Sequence, residues 1–189
     1  MKIILGLGNP GKKFKNTRHN LGFLILEKFA KEKNFPKFEV KKGVLSLISQ
    51  KRIKKEKIIL AKPQTFMNES GKAAKLILKH FKTKTKDLVV VHDDLALPLG
   101  KMKISFGRGA GGHKGVQSII REIKTKNFLR LRVGIKTEEL KNKKIKDFVL
   151  ENFKKEERKI LKDIIKEVIE AIEILIKEGK EKAMSIVNK

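Results

Sequence analysis

The chain has 189 residues, 40% of them hydrophobic, enough for one domain with a buried core, and it has no cysteine, which excludes disulfides, thiolate catalysis and cysteine-ligated metals. Its 47 Lys and Arg against 21 Asp and Glu give a net charge of +26, an electrostatic footprint for a polyanion with nucleic acid as the default partner. Most of that excess is lysine, which also accompanies genome composition or a hot habitat, and the charge does not choose between DNA and RNA. The chain enters a strand directly without a signal-peptide pattern, and no apolar run approaches the ~18 residues of a membrane span, so a cytoplasmic protein is expected.

The first element is a buried strand over Lys2–Leu7, read from the run Ile3-Ile4-Leu5. Past its carboxyl end come Gly6-Leu7-Gly8-Asn9-Pro10-Gly11 and then Asn16-Thr17-Arg18-His19-Asn20, where an α/β sheet usually keeps its chemistry. The polar neighbours of His19 point to a reactive imidazole. The spacing Gly6-x-Gly8-x-x-Gly11 matches a dinucleotide fingerprint, which needs a helix opening at the third glycine. Pro10 removes one N–H there, residues 12–18 lack an apolar helical period, and no acidic residue closes a second strand at the expected distance. The glycines are instead expected to allow tight turns near a substrate. A helix is predicted over Asn20–Lys33, with Asn20 as its cap and Leu21, Leu24, Ile25 and Phe29 on one face.

Strands follow at Leu45–Ser49 and Lys57–Lys62, an antiparallel hairpin joined by the basic segment Gln50–Glu56. A loop, Pro63 to Gly71, leads into a helix over Ser70–Phe81, with Asn68 or Ser70 as candidate caps; Asn68 alternatively faces a substrate, since an amide both donates and accepts. His80, on that helix, reads as structural. The strand Leu88–His92 ends in His92-Asp93-Asp94. A carboxylate at the end of a buried strand is costly unless paired, and His19 is the useful partner for Asp93: it would fix the ring tautomer and leave the other nitrogen free as a base. Asp94 better fits a turn cap.

After the strand Lys101–Phe106, the glycine-rich run Gly107–Gly115, containing Arg108, His113 and Lys114, leads into a helix over Gly115–Lys124 whose N-terminus is a natural place for an anion. A strand at Leu129–Ile135 and a long helix from Lys154 to Lys177, with Ile160, Leu161, Ile164, Ile165 and Val168 opening its apolar face, complete the chain. Strands alternating with helices predict a single α/β domain over residues 1–189, with a mixed, mostly parallel twisted central sheet flanked by helices. No histidine spacing makes a metal site.

Gly6-Leu7-Gly8-Asn9-Pro10-Gly11, Thr17-Arg18-His19-Asn20, Phe66-Met67-Asn68-Glu69-Ser70-Gly71, His92-Asp93-Asp94-Leu95, Gly111-Gly112-His113 and Arg130-Leu131-Arg132-Val133-Gly134 together resemble the bacterial-type peptidyl-tRNA hydrolase family, in its order and spacing across nearly the whole chain. The resemblance implies cleavage of the ester between a peptide and the 3′-terminal ribose of tRNA, with no metal and no cofactor. It implies His19 as general base, Asp93 as the group that holds its basic form, and Asn9 and Asn68 on the peptide main chain beside the ester. It puts Phe14 and Phe66 at substrate-contact positions and the glycine loop, with His113 and Lys114, beside the CCA end. Lys103, Arg130 and Arg132 would clamp the 5′ phosphate. Two positions depart from the family pattern: Phe14 stands where a tyrosine is usual, and Lys114 where many members have an asparagine. The competing readings are a non-catalytic RNA-binding protein on the same fold and a nucleotide-dependent enzyme using the Gly6–Gly11 loop. A monomer is expected.

Overall fold

The computed structural model describes residues 1–189, and none of its helices is long and apolar enough to cross a membrane. Seven strands form one sheet: β1 (Lys2–Gly6), β2 (Glu39–Lys41), β3 (Ser46–Ile53), β4 (Glu56–Pro63), β5 (Leu88–Pro98), β6 (Met102–Phe106) and β7 (Leu129–Lys136). Their spatial order is β2-β3-β4-β1-β5-β7-β6. The four central strands, β4, β1, β5 and β7, run parallel, and antiparallel pairs close both edges. The sheet is therefore mixed, as the sequence predicts. Six helices cover it: α1 (Leu21–Glu32), α2 (Ser70–His80), α3 (Lys114–Ile123), α4 (Ile145–Leu150), α5 (Glu157–Lys177) and α6 (Lys180–Val187).

Alternation along the central strands sends side chains to two apolar layers. Ile4, Val89, Val91 and Leu131 join α1, α4 and α5 on one face; Ile3, Leu5, Leu88 and Val90 join α2 and α3 on the other. The long helix α5 packs on the sheet through Leu161, Ile164, Ile165 and Val168, as expected. Ile160 departs from that face: it is half exposed and leans over Gly100.

Several sequence-based boundaries move, each for a local reason. β3 and β4 extend through most of the basic connector, pairing as far as Ile53 with Glu56, so the turn is only Lys54-Lys55, with Lys54 at φ 53. Charged residues alternating on an edge hairpin conceal strand from a hydrophobicity reading. β2, α4 and α6 are short elements that the sequence reading does not include. β5 runs to Pro98, well past His92, because β7 continues to pair with it through Asp94 and Gly134.

The first glycines serve packing rather than turning. A Cβ on Gly6 would lie 2.5 Å from the Gly22 carbonyl oxygen, and one on Gly8 would lie 2.8 Å from the Phe23 ring. Only Gly11, at φ 106, needs a conformation that other residues avoid. Asn20 does not cap α1. Its side chain instead accepts from the Asn9 N–H and donates to the Asn9 carbonyl, both at 2.9 Å, pinning the loop after β1 to the start of α1.

Gly22 sits at the closest approach of α1 to the sheet, where a Cβ would come within 2.4 Å of both the Leu7 nitrogen and the Val91 oxygen. Gly22→Ala is expected to destabilise the protein by about 1–3 kcal/mol in urea unfolding, through overpacking against backbone that cannot give way. A loss under about 0.5 kcal/mol would mean that α1 is free to ride outward, contrary to this packing.

Candidate active site

β1 is where the connections diverge, to β4 on one side and β5 on the other, and a crevice opens beyond its carboxyl end, the usual ligand position in such sheets. A cavity of about 920 Å³ occupies it. Its polar floor comes from four separated segments: Asn9 after β1, His19 on a 3-10 turn spanning Arg18–Asn20, Asp93 on β5, and His113 at the end of the glycine loop. Phe66, Met67 and Asn68 form one flank, and Ile145, Val149 and Leu150 of α4, with Leu140, form an apolar wall opposite.

Asp93 organises the floor. Its side chain is buried and accepts from His19 Nδ1 at 2.9 and 3.0 Å, one contact to each oxygen, and from His113 Nε2 at 3.0 Å. The other nitrogen of His113 accepts from the backbone N–H groups of Gly115 and Val116, at 3.1 and 3.3 Å. A nitrogen that accepts two N–H bonds carries no proton, so the His113 proton is on Nε2 and points at Asp93. His19 likewise donates through Nδ1, and its Nε2 is left without a protein partner. A third imidazole, His92, stacks edge-on against His113 with centroids 4.6 Å apart and donates from Nδ1 to the Asp93 carbonyl at 2.6 Å.

The electrostatics follow from this contact set. Burial disfavours the charged form of Asp93, but the two imidazoles, by charge and hydrogen bond, outweigh it and hold the carboxyl far below the usual carboxylate range. Burial also disfavours charging His19, and Asp93 outweighs that too, so its pKa is raised; the Lys114 ammonium opposes the rise. Burial, reinforced by His113, keeps His92 well below the ordinary imidazole range and neutral.

Asn9 is fixed as an acceptor on one side only: its Oδ1 takes the Met67 N–H at 2.8 Å, which leaves Nδ2 as a donor with no protein partner. Asn68 is exposed on the cavity flank and caps nothing; Ser70 Oγ donates back to the Met67 carbonyl instead. Of the other predicted site residues, Phe66 and Lys114 line the cavity, with Phe66 57% exposed. Phe14 does not line it; its ring lies under the Lys13 ammonium on a neighbouring 3-10 turn. His80 is outside the site, against Phe81. The helix N-terminus expected to hold an anion is already occupied, because His113 caps α3.

A second, basic cavity of about 540 Å³ adjoins the first and shares Asp94, Ala96 and Gly111 with it. It is lined by Lys103, Arg108, Arg130 and Arg132. Arg132 donates from Nε to Asp94 at 2.6 Å, while Asp94 also accepts from the Ala96 N–H, the turn-capping role expected of it. Arg130 is only 4% exposed, has no carboxylate partner, and is held below the usual guanidinium range by burial and by Arg132.

His19, Asp93 and His113 offer three ligand atoms within 4.8 Å of one another, a cluster that no local spacing in the sequence reveals. Its nitrogens point directly at the carboxylate, and a metal ~2.0–2.1 Å from each would have to replace those bonds.

A family model described as peptidyl-tRNA hydrolase matches residues 3–189. The chain belongs to the peptidyl-tRNA hydrolase family. The peptidyl-tRNA hydrolase of Dehalococcoides mccartyi is 47% identical over 190 residues, covering 100% of both chains. That of Sulfurihydrogenibium sp. is 42% identical over 189 residues, covering 100% of this chain and 98% of the relative. The crystal structure of peptidyl-tRNA hydrolase from Acinetobacter baumannii superposes with a TM-score of 0.91 at 28% identity, covering 100% of this chain and 94% of that one. The chain is thus an enzyme of the peptidyl-tRNA hydrolase family, and its shared fold is that of the solved members.

With His19 as the base expected from the sequence, which must be deprotonated to act, its raised pKa puts the rising limb of kcat/KM at a midpoint above the ordinary imidazole value of about 6.5. Asp93→Asn removes the group that raises it and is expected to lower that midpoint along with kcat. Lys114→Gln removes an opposing charge and is expected to raise it. A pH profile of the wild type with a midpoint below about 6.5, or variants that move in the opposite directions, would overturn this account of the site's charges.

Proposed function

We propose that this chain hydrolyses the ester between a peptide and the 3′-terminal ribose of tRNA by a metal-free mechanism in which His19 activates water. The observation that carries the reading is the Nδ1 contact of His19 with Asp93, which leaves Nε2 bare on the cavity floor. Nε2 takes a proton from water as the water oxygen attacks the ester carbonyl carbon. The carbonyl oxygen becomes an oxyanion, for which the free Asn9 Nδ2 is the available donor. The carbon–oxygen bond to ribose then breaks, and the leaving oxygen takes the proton from the imidazolium. General-base assistance is worth about 10²–10⁴ in rate, enough for an ester, whose leaving group is far better than that of an amide.

Selectivity for a blocked amino group has two supports. Asn9 and Asn68 can pair with the carbonyl and N–H of a peptide link that free aminoacyl-tRNA lacks. Lys114 adds positive charge close enough to act on His19, which disfavours a substrate carrying a free α-ammonium. The tRNA end would follow the basic cavity. Arg130, buried without a direct ion pair, Arg132 and the exposed Lys103 form an anion site continuous with the catalytic one, suited to the terminal phosphate beside the CCA end. His113 works through Asp93 rather than on the CCA end. One chain supplies every group, which favours a monomer.

The test compares N-acetyl-aminoacyl-tRNA with the same tRNA bearing a free amine, in EDTA. Only the blocked substrate should be cleaved, EDTA should leave the rate unchanged, and His19→Ala should lower kcat by about 10²–10⁴. Full activity in His19→Ala, or none in the wild type with tRNA binding retained, would reject the mechanism; the second result would leave an RNA-binding protein. Lys103→Ala should raise KM and reduce the slope of log affinity against log salt by about 1. An unchanged slope would remove Lys103 from the phosphate site.

A further inference from the structure

Arg18 immediately precedes His19 on the same 3-10 turn, yet it takes no part in the cavity. It is the largest fully buried side chain of the protein, at 0% exposure. Its Nη2 donates to Glu157 Oε1 at 2.9 Å, and the guanidinium lies over the rings of Phe148 and Phe153, with centroids 4.4 and 5.0 Å away. Nε and Nη1 have no hydrogen-bond partner, which is tolerable only because those rings face the cation. The backbone repeats the connection: Arg18 N–H donates to the Glu151 carbonyl at 2.9 Å, and Thr17 bridges Asn152. Glu157 in turn accepts the Lys154 N–H at 2.7 Å, closing the entry to α5.

These partners lie on α4, on its connection to α5 and, for Glu157, at the first residue of α5. Helix α4 turns its other face to the cavity, where Ile145 and Leu150 are left largely exposed. On the outer side, α4 is flanked by an exposed ion cluster that salt screens: Lys143 pairs with Glu151 at 2.6 Å and with Glu139 at 3.3 Å, and Lys154 pairs with Glu139. The buried Arg18 contacts run from α4 and the start of α5 directly to the turn carrying His19.

We propose that Arg18 is a positioning residue for the hydrolysis: caged by Phe148 and Phe153 and bonded to Glu157, it locks α4 to the His19 turn, so that the apolar wall and the base are held in register. This rests on the hydrolase reading above. A pair placed there for stability alone would be replaceable by apolar side chains of similar volume, since a buried ion pair is often matched by such a swap. A positioning pair would not be, because flexible apolar groups do not reproduce a planar fork aimed at one carboxylate.

Arg18→Met/Glu157→Met removes both charges together and leaves no buried ion unpaired. Phe153→Leu is the milder companion, loosening the cage while keeping the ion pair. Each is assayed per folded molecule, on N-acetyl-aminoacyl-tRNA and on a substrate with a longer peptide, beside wild type and His19→Ala. In the double variant, kcat should fall at least ten-fold, KM for the longer peptide should rise more than that for the short one, and the pH midpoint should drop, because a displaced His19 loses Asp93 while Lys114 still acts on it. Phe153→Leu should move the same three quantities, by less. Both kcat and the pH midpoint unchanged within two-fold and 0.2 pH, in whichever of the two variants folds, would overturn the proposal. Loss of activity in His19→Ala with wild-type kinetics in the Arg18 and Phe153 variants rejects only the positioning role, whereas activity retained by His19→Ala rejects the hydrolytic mechanism itself.

Discussion

A carboxylate in the interior of a protein must be compensated, and Asp93 sits on a central strand with almost no access to water. Two imidazoles compensate it, and each is thereby committed. His113 is fixed from both ends, by Asp93 and by the first turn of α3, so it can neither rotate nor change tautomer without freeing two backbone donors. His19 is fixed from one end only. That asymmetry distinguishes the two: the same carboxylate holds both, but only His19 has a ring nitrogen left over.

The rest of the fold serves to bring these groups to one point. Gly6 and Gly22 let α1 settle directly on β1 and β5, which sets the height of the turn before α1 and so the reach of His19. The Asn20 amide, bonded to both backbone groups of Asn9, carries that placement across to the loop after β1. Asn9 passes it on through Met67 to the loop after β4. A chain of buried amide contacts thus connects the His19 turn, Asn9 and the flank of the cavity. The basic cavity is connected through Asp94, which follows Asp93 and is bonded to Arg132. The carboxylate that holds His19 and the one that holds Arg132 are therefore adjacent on a single strand.

The central strands, the main helices and the pairing of His19 with Asp93 are legible in the sequence. Buried parallel strands are nearly continuous runs such as Leu88–Val91, and a carboxylate ending such a run demands a partner. What stays hidden is long-range. Nothing local says that Asn20 bonds Asn9 rather than capping α1, since both uses suit an asparagine. The glycine fingerprint at 6–11 is indistinguishable from a turn until Gly22 is seen against it. The role of His113 is also obscured, because its loop reads as an anion cradle until its own ring is found filling the helix N-terminus. Arg18 reads as one more surface cation in a chain with a net charge of +26, and only burial reveals its difference. Hidden features of this kind are side chains whose partners lie tens of residues away.

The central claim is that Asp93 holds His19 in the form with the proton on Nδ1 and a bare Nε2. Ring-nitrogen NMR of the protein labelled at histidine measures this directly. The account predicts that the deprotonated His19 ring carries its proton on Nδ1, and that it titrates above the ordinary imidazole midpoint of about 6.5. A His19 protonated on Nε2 in its neutral form, or one that titrates below that midpoint, would contradict it.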